Sequence, residues 1–113
     1  MDGYFGLIMN LIPLEALPNQ NFTVTLGNNT YNFRINTCVN ITAVTLYRNL
    51  ELLFSGERVP PFTPVIPYKY LESGNFFFIT QNEEYPIYDK FGVSQFLLYA
   101  TQDEVETFRN AAN

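Results

Sequence analysis

The sequence predicts an all-β protein: a small antiparallel β-sandwich or partly open barrel, closed by a short C-terminal helix. Three observations carry that reading. Aromatic residues make up 17% of the chain, with eleven Phe and eight Tyr, and flat side chains pack well on a pleated, half-buried surface. Apolar and polar residues alternate with period two from Phe22 to Ile35, the pattern of strands with one face covered. A helical signature follows only after Tyr99. At 113 residues the chain forms one domain and buries roughly two-thirds of its unfolded surface. It divides into an apolar N-terminal extension (residues 1–11), a β domain (12–100) and a C-terminal helix (101–113).

The extension, Met1 to Leu11, carries Asp2 where a signal peptide has positive charge, and no A-x-A cleavage site follows. Its apolar run is far shorter than the ~20 residues that span a bilayer. The expectation is a soluble protein made in a cytoplasm. The first strands form a hairpin between Phe22 and Ile35. A turn at Asn28-Asn29 would set Leu26 opposite Tyr31, Val24 opposite Phe33 and Phe22 opposite Ile35, since Asn tolerates the positive φ of a type I′ turn. A second pair is expected over Val39–Tyr47 and Leu50–Phe54, turning near Arg48-Asn49. Its apolar residues change phase near Ala43-Val44, which suggests a bulge or a strand buried on both sides.

Pro60, Pro61, Pro64 and Pro67 then remove too many amide donors for a central strand. The segment reads as an extended crossing or edge, and its P-x-x-P spacing as structure before ligand. Phe76–Thr80 and Phe96–Ala100 are apolar without alternation, as strands covered on both faces are. In a monomer one cover would be missing, so a partner is expected. Thr101 and Glu104 are spaced as a capping box, with Val105 and Phe108 as the apolar stripe of a helix that must dock to be stable.

The chemistry is sparse. The chain has no histidine, which removes the commonest general base and metal ligand. With six Lys and Arg scattered along a chain of net charge −5, nucleic acid is not an expected partner. The single cysteine, Cys38, forms no intrachain disulfide and is expected to be a small buried hydrophobe in a strand. Glu83, Glu84 and Asp89 cluster before Phe91, but lack the tight spacing of a calcium loop and the cleft of a glycosidase pair. They read as a solvated loop tip. Asn21, Asn28 and Asn40 each begin an N-x-[ST] triplet, matches that a chain rich in Asn and Thr produces by chance. No catalytic residue, cofactor site or metal site is expected.

The aromatic surface exceeds what one small core requires, so part of it is expected to meet another protein. The expected contacts are Tyr4, Phe5, Leu7 and Ile8 in the extension, and Tyr85, Pro86, Tyr88 and Phe91 in the loop. Rings exposed side by side on that loop would instead make a carbohydrate- or receptor-binding module. An enzyme or enzyme inhibitor would need a deep pocket lined by Glu84 and Asp89.

The order of the motifs adds a resemblance. Ile12-Pro13-Leu14 precedes Pro18-Asn19-Gln20-Asn21-Phe22 and the turn Gly27-Asn28-Asn29. Gly56 and the proline crossing follow, then Tyr68-Lys69-Tyr70-Leu71 and Gly74-Asn75-Phe76-Phe77-Phe78. Glu84-Tyr85-Pro86-Ile87-Tyr88, Phe91-Gly92 and Gln95-Phe96-Leu97-Leu98-Tyr99 complete the series. From Ile12 to Tyr99 the chain resembles the small baseplate plug proteins of contractile-tailed bacteriophages, called ripcord proteins in some phages. The resemblance implies an all-β structural protein of the virion, made in the host bacterial cytoplasm and held near the tail axis. Its implied partners are the baseplate hub, the tail tube and neighbouring baseplate proteins, with several copies around the axis. Neither membrane nor nucleic acid is implied.

Overall fold

Three two-residue turns, each able to take positive φ, fold the middle of the chain into a four-stranded meander. The computed structural model describes residues 10–112. In chain order the elements are β1 (Asn10–Ile12), β2 (Asn19–Leu26), β3 (Asn29–Cys38), β4 (Ile41–Arg48), β5 (Glu51–Arg58), β6 (Asn75–Ile79), β7 (Phe96–Ala100) and α1 (Gln102–Ala112). Single 3-10 turns lie at Lys69–Leu71 and Tyr88–Lys90. β2-β3-β4-β5 form one antiparallel sheet and β1-β7-β6 the other, and the two pack as a small β-sandwich with the helix at its C-terminal end.

The first hairpin turns at Gly27-Asn28, one residue before the expected Asn28-Asn29. Gly27 takes φ +62° at no steric cost, which suits the first central position of a type II′ turn. Val24 therefore opposes Tyr31 and Phe22 opposes Phe33. The offset from the expected pairing is two residues, so every side chain keeps its face. The next turns are Val39-Asn40 and Asn49-Leu50, with both central residues at positive φ as type I′ requires. Val39 was expected to begin a strand, and the second turn was expected one residue earlier. Asn49 fixes the later turn: its Nδ2 donates to Asn29 Oδ1 at 2.9 Å, and the Thr30 amide donates to its Oδ1 at 2.8 Å.

The expected irregularity near Val44 is real, but it lies on the partner strand. β4 keeps its phase, with Thr42, Val44 and Leu46 all buried. Opposite Thr45, β5 carries two residues between Phe54 and Glu57. Gly56 there takes φ +64° and its amide donates to Thr45 Oγ1 at 2.9 Å, the mark of a bulge accommodated by glycine.

The proline segment crosses between the sheets as an irregular edge beside β6. The Phe62 and Val65 amides donate to the Phe78 and Phe76 carbonyls at 2.9 and 2.8 Å. Buried Asn75 clamps it by accepting from the Ile66 amide and donating to the Ile66 carbonyl. Val59, Val65 and Ile66 are thereby buried.

The core lies between the sheets and is largely aromatic. Phe76 of β6 meets Tyr31 and Phe33 of β3 edge to face, with centroids 5.0 and 4.8 Å apart, the favoured geometry for such rings. Ile35, Val44, Leu46, Phe78 and Leu97 fill the space around them. Cys38 departs from expectation: it is exposed. Tyr31, Phe33 and Ile35 point inward along β3, so the even-numbered Cys38 falls on the opposite face.

Candidate interaction surfaces

β6 and β7 supply the first surface. Their inner residues, Phe76, Phe78, Leu97 and Tyr99, are buried in the core. Their outer residues, Phe77, Ile79, Phe96 and Leu98, are half-buried, so the second face expected from the unbroken apolar runs is only partly covered in the single chain. Leu11 and Phe77 both oppose Leu98, and Ile79 opposes Phe96. Leu11, Leu98 and Phe77 thus form an apolar row across all three strands, with a second row beside it. Leu11 is 57% exposed.

The loop between β6 and β7 supplies the second, and buried Gln95 organises it. Gln95 Oε1 accepts from the Ile87 amide at 2.8 Å, while Nε2 donates to the Tyr85 carbonyl and to Glu84 Oε2, each at 3.2 Å. Thr80 Oγ1 donates to the Glu84 carbonyl at 2.7 Å, and Thr42 Oγ1 in the other sheet donates to the Pro86 carbonyl at 2.8 Å. The loop is therefore anchored to both sheets. Phe91 is buried and stacks on Phe78 at 6.1 Å. Pro86 is also buried, and Tyr88 packs partly against the core.

Of the four loop residues expected to meet a partner, only Tyr85 is exposed; Pro86 and Phe91 face inward and support the loop from beneath. Tyr4, Phe5, Leu7 and Ile8 lie outside the described residues. Tyr85 borders an open groove with Pro60, Phe62, Asn82 and Glu83. Phe62, Asn82 and Glu83 take φ of +57°, +54° and +55°. Three non-glycine residues at positive φ around one groove concentrate backbone strain where the surrounding structure must hold it. The Arg58 guanidinium lies 4.0 Å above the Tyr85 ring centroid, so one ring face is already taken by a cation. Sequence reasoning missed Phe62 because it sits among prolines, and nothing in the letters signals its backbone angle.

The carboxylates are arranged for structure. Lys90 Nζ donates to Glu84 Oε1 at 2.7 Å, and the hydrogen bonds from Lys90 and Gln95 hold the Glu84 carboxyl below its ordinary range. A general acid needs the opposite shift. Among the described residues no group of three or more His, Cys, Asp or Glu side chains is placed to hold a metal ion, and no helix is long and apolar enough to cross a membrane.

A model of the family described as cyanophage baseplate Pam3 plug gp18 matches residues 9–103. The match spans both sheets, the crossing segment and the start of α1. No curated protein matches the chain.

Proposed function

The chain belongs to the cyanophage baseplate plug family, a structural component of the phage tail baseplate, and we propose that it works there by docking its apolar sheet face and its Tyr85 groove against neighbouring proteins. The observation that carries this reading is the row Leu11–Leu98–Phe77, apolar across a whole sheet, with Leu11 exposed and the other two only partly buried in the single chain. Assemblies meant to persist bury such surfaces at their interfaces. The hub and the inner tube are the partners that suit a plug near the tail axis, met by the protein in several copies. Tyr4, Phe5, Leu7 and Ile8, which precede β1 in the sequence, are assigned to the partner contact as well. Tyr85 supplies the contact at the other surface, with Tyr88 supporting it from the core side.

The test is tail assembly with a Phe77→Ser/Leu98→Ser variant. Purified tails should lose the protein by quantitative mass spectrometry while the isolated variant keeps the wild-type circular dichroism spectrum. Incorporation at the wild-type level would remove the sheet face from the interface. Absence of the wild-type protein from purified baseplates would overturn the reading altogether.

A further inference from the structure

The sheet edges of this molecule are defended unequally. β5 carries Glu51, Glu57 and Arg58 and two register irregularities, and the free side of β6 is taken by the proline segment. Charges, bulges and covering loops are the means by which proteins blunt an edge. β2, the outer strand of the meander, has none of them. Its eight residues, Asn-Gln-Asn-Phe-Thr-Val-Thr-Leu, are uncharged, contain no proline and pair with β3 in unbroken register. Among the described residues no other segment pairs with its outer side.

We propose that β2 is a pairing edge for a second copy of this chain, joined antiparallel about a two-fold axis. The two-residue turn makes Leu26 and Asn29 a hydrogen-bonded pair, so along β2 the amides and carbonyls of Asn21, Thr23 and Thr25 point outward. Of the antiparallel registers that use those groups, the one proposed sets Asn21 opposite Thr23 of the second copy and Phe22 opposite its own counterpart.

Each face then meets its like. On the inner side Phe22, already stacked on Phe33 at 5.2 Å, meets a second Phe22 at the close, non-hydrogen-bonded spacing where aromatic pairs contribute most. Half-buried Phe22, Val24 and Leu26 gain cover. On the outer side the amide ladder, in which Asn32 Nδ2 donates to Asn21 Oδ1 at 2.9 Å and to Thr23 Oγ1 at 3.1 Å, continues into the partner. Charge selects the occupant. The chain carries −5 overall, yet β2 offers no charge to a basic partner and no repulsion to an identical strand.

The test is sedimentation of the full chain from about 10 µM to about 1 mM, the range of a small interface, with reductant present because Cys38 is exposed. A reversible monomer–dimer equilibrium is expected. Thr23→Pro removes an outward amide and the Thr23 Oγ1 acceptor of Asn32 but no backbone hydrogen bond to β3, and should raise the dissociation constant at least about tenfold with an unchanged circular dichroism spectrum. Should that variant not fold, Asn21→Asp/Thr23→Asp places two like-charged pairs across the axis and should act in the same direction. A chain that stays monomeric throughout, or a dimer indifferent to the edge variants, overturns the proposal.

Discussion

Arg109 holds Glu72 with both arms of its guanidinium, Nη1 to Oε1 at 2.7 Å and Nη2 to Oε2 at 2.5 Å. The Glu72 side chain is 1% exposed and sits in the segment before β6, while Arg109 is in the last turn of α1. The pair ties the helix to the sandwich. That tie is needed because an eleven-residue helix is marginal in isolation, and Val105 is its one buried apolar side chain among residues 102–111. Arg109→Ala leaves a buried carboxylate with only Asn75 and Gln102 as donors. It should cost about 2–4 kcal/mol, read by urea denaturation, and reduce the helical signal of the folded protein. An unchanged midpoint would mean that α1 docks by other contacts.

The same pair shapes the acid limb of stability. Burial pushes the Glu72 carboxyl up, but hydrogen bonds from Arg109, Asn75 and Gln102, with the Arg109 charge, outweigh it and leave the folded value below the ordinary 4.5. A carboxyl lowered by folding stabilises fully above its unfolded value, and that stabilisation is lost as pH falls through the folded value. The stability difference between wild type and Arg109→Ala should therefore be largest at neutral pH and shrink below about pH 4. Urea titrations at pH 7 and pH 3 check it. A constant difference would show that Arg109 acts through packing alone.

Gly74 leaves the space that the Tyr99 ring occupies. It takes φ +86°, and a Cβ built there would overlap the phenol. Gly74→Ala therefore incurs both backbone strain and a clash, and should destabilise by about 2–4 kcal/mol in thermal or urea unfolding. Tyr99→Phe is the milder change. Tyr99 Oη donates to the Ser73 carbonyl at 3.2 Å, but Tyr31 Oη donates to the same oxygen at 3.1 Å. Losing one of two donors should cost about 0.5–1.5 kcal/mol. Should Gly74→Ala prove no worse than Tyr99→Phe, the close approach is not what requires glycine.

What could be read in the letters is what period and local chemistry dictate. Alternation placed Phe22, Val24, Tyr31, Phe33 and Ile35 on one face. The spacing of Thr101 and Glu104 gave the capping box, observed with reciprocal bonds of 2.8 and 3.3 Å. The prolines gave an irregular crossing. The register of the first hairpin was misjudged because Gly27 and Asn29 both suit a turn, and a two-residue offset leaves the apolar pattern unchanged. Cys38 was misjudged because composition says nothing of strand parity. The loop contacts were only partly legible: an aromatic that fills the core, such as Phe91, looks in sequence like one that lies outside, such as Tyr85. Phe62, held at positive φ beside the groove, had no signal at all.

The exposed position of Cys38 is open to a direct check. It ends β3 on the outward face beside the Val39-Asn40 turn, so its thiol should react with Ellman's reagent in the native protein at a rate close to that in urea. A thiol that reacts only after unfolding would return Cys38 to the core and break the parity assigned to β3.

Gln95 decides whether the Tyr85 loop holds its shape. Its side chain is fully buried, and its amide links three points of the loop: the Ile87 amide, the Tyr85 carbonyl and the Glu84 carboxylate. Gln95→Leu keeps a comparable volume but strands these partners, and should cost about 2–4 kcal/mol. The loss should be local as well as global. Hydrogen exchange at the Ile87 amide should accelerate far more than at the Phe77 amide, which faces β7, because the loop can open without parting β6 from β7. Exchange that rises equally at both places would show that the loop and the sheet unfold as one unit. In that event Gln95 stabilises the core, and the shape of the groove beside Tyr85 rests on other residues.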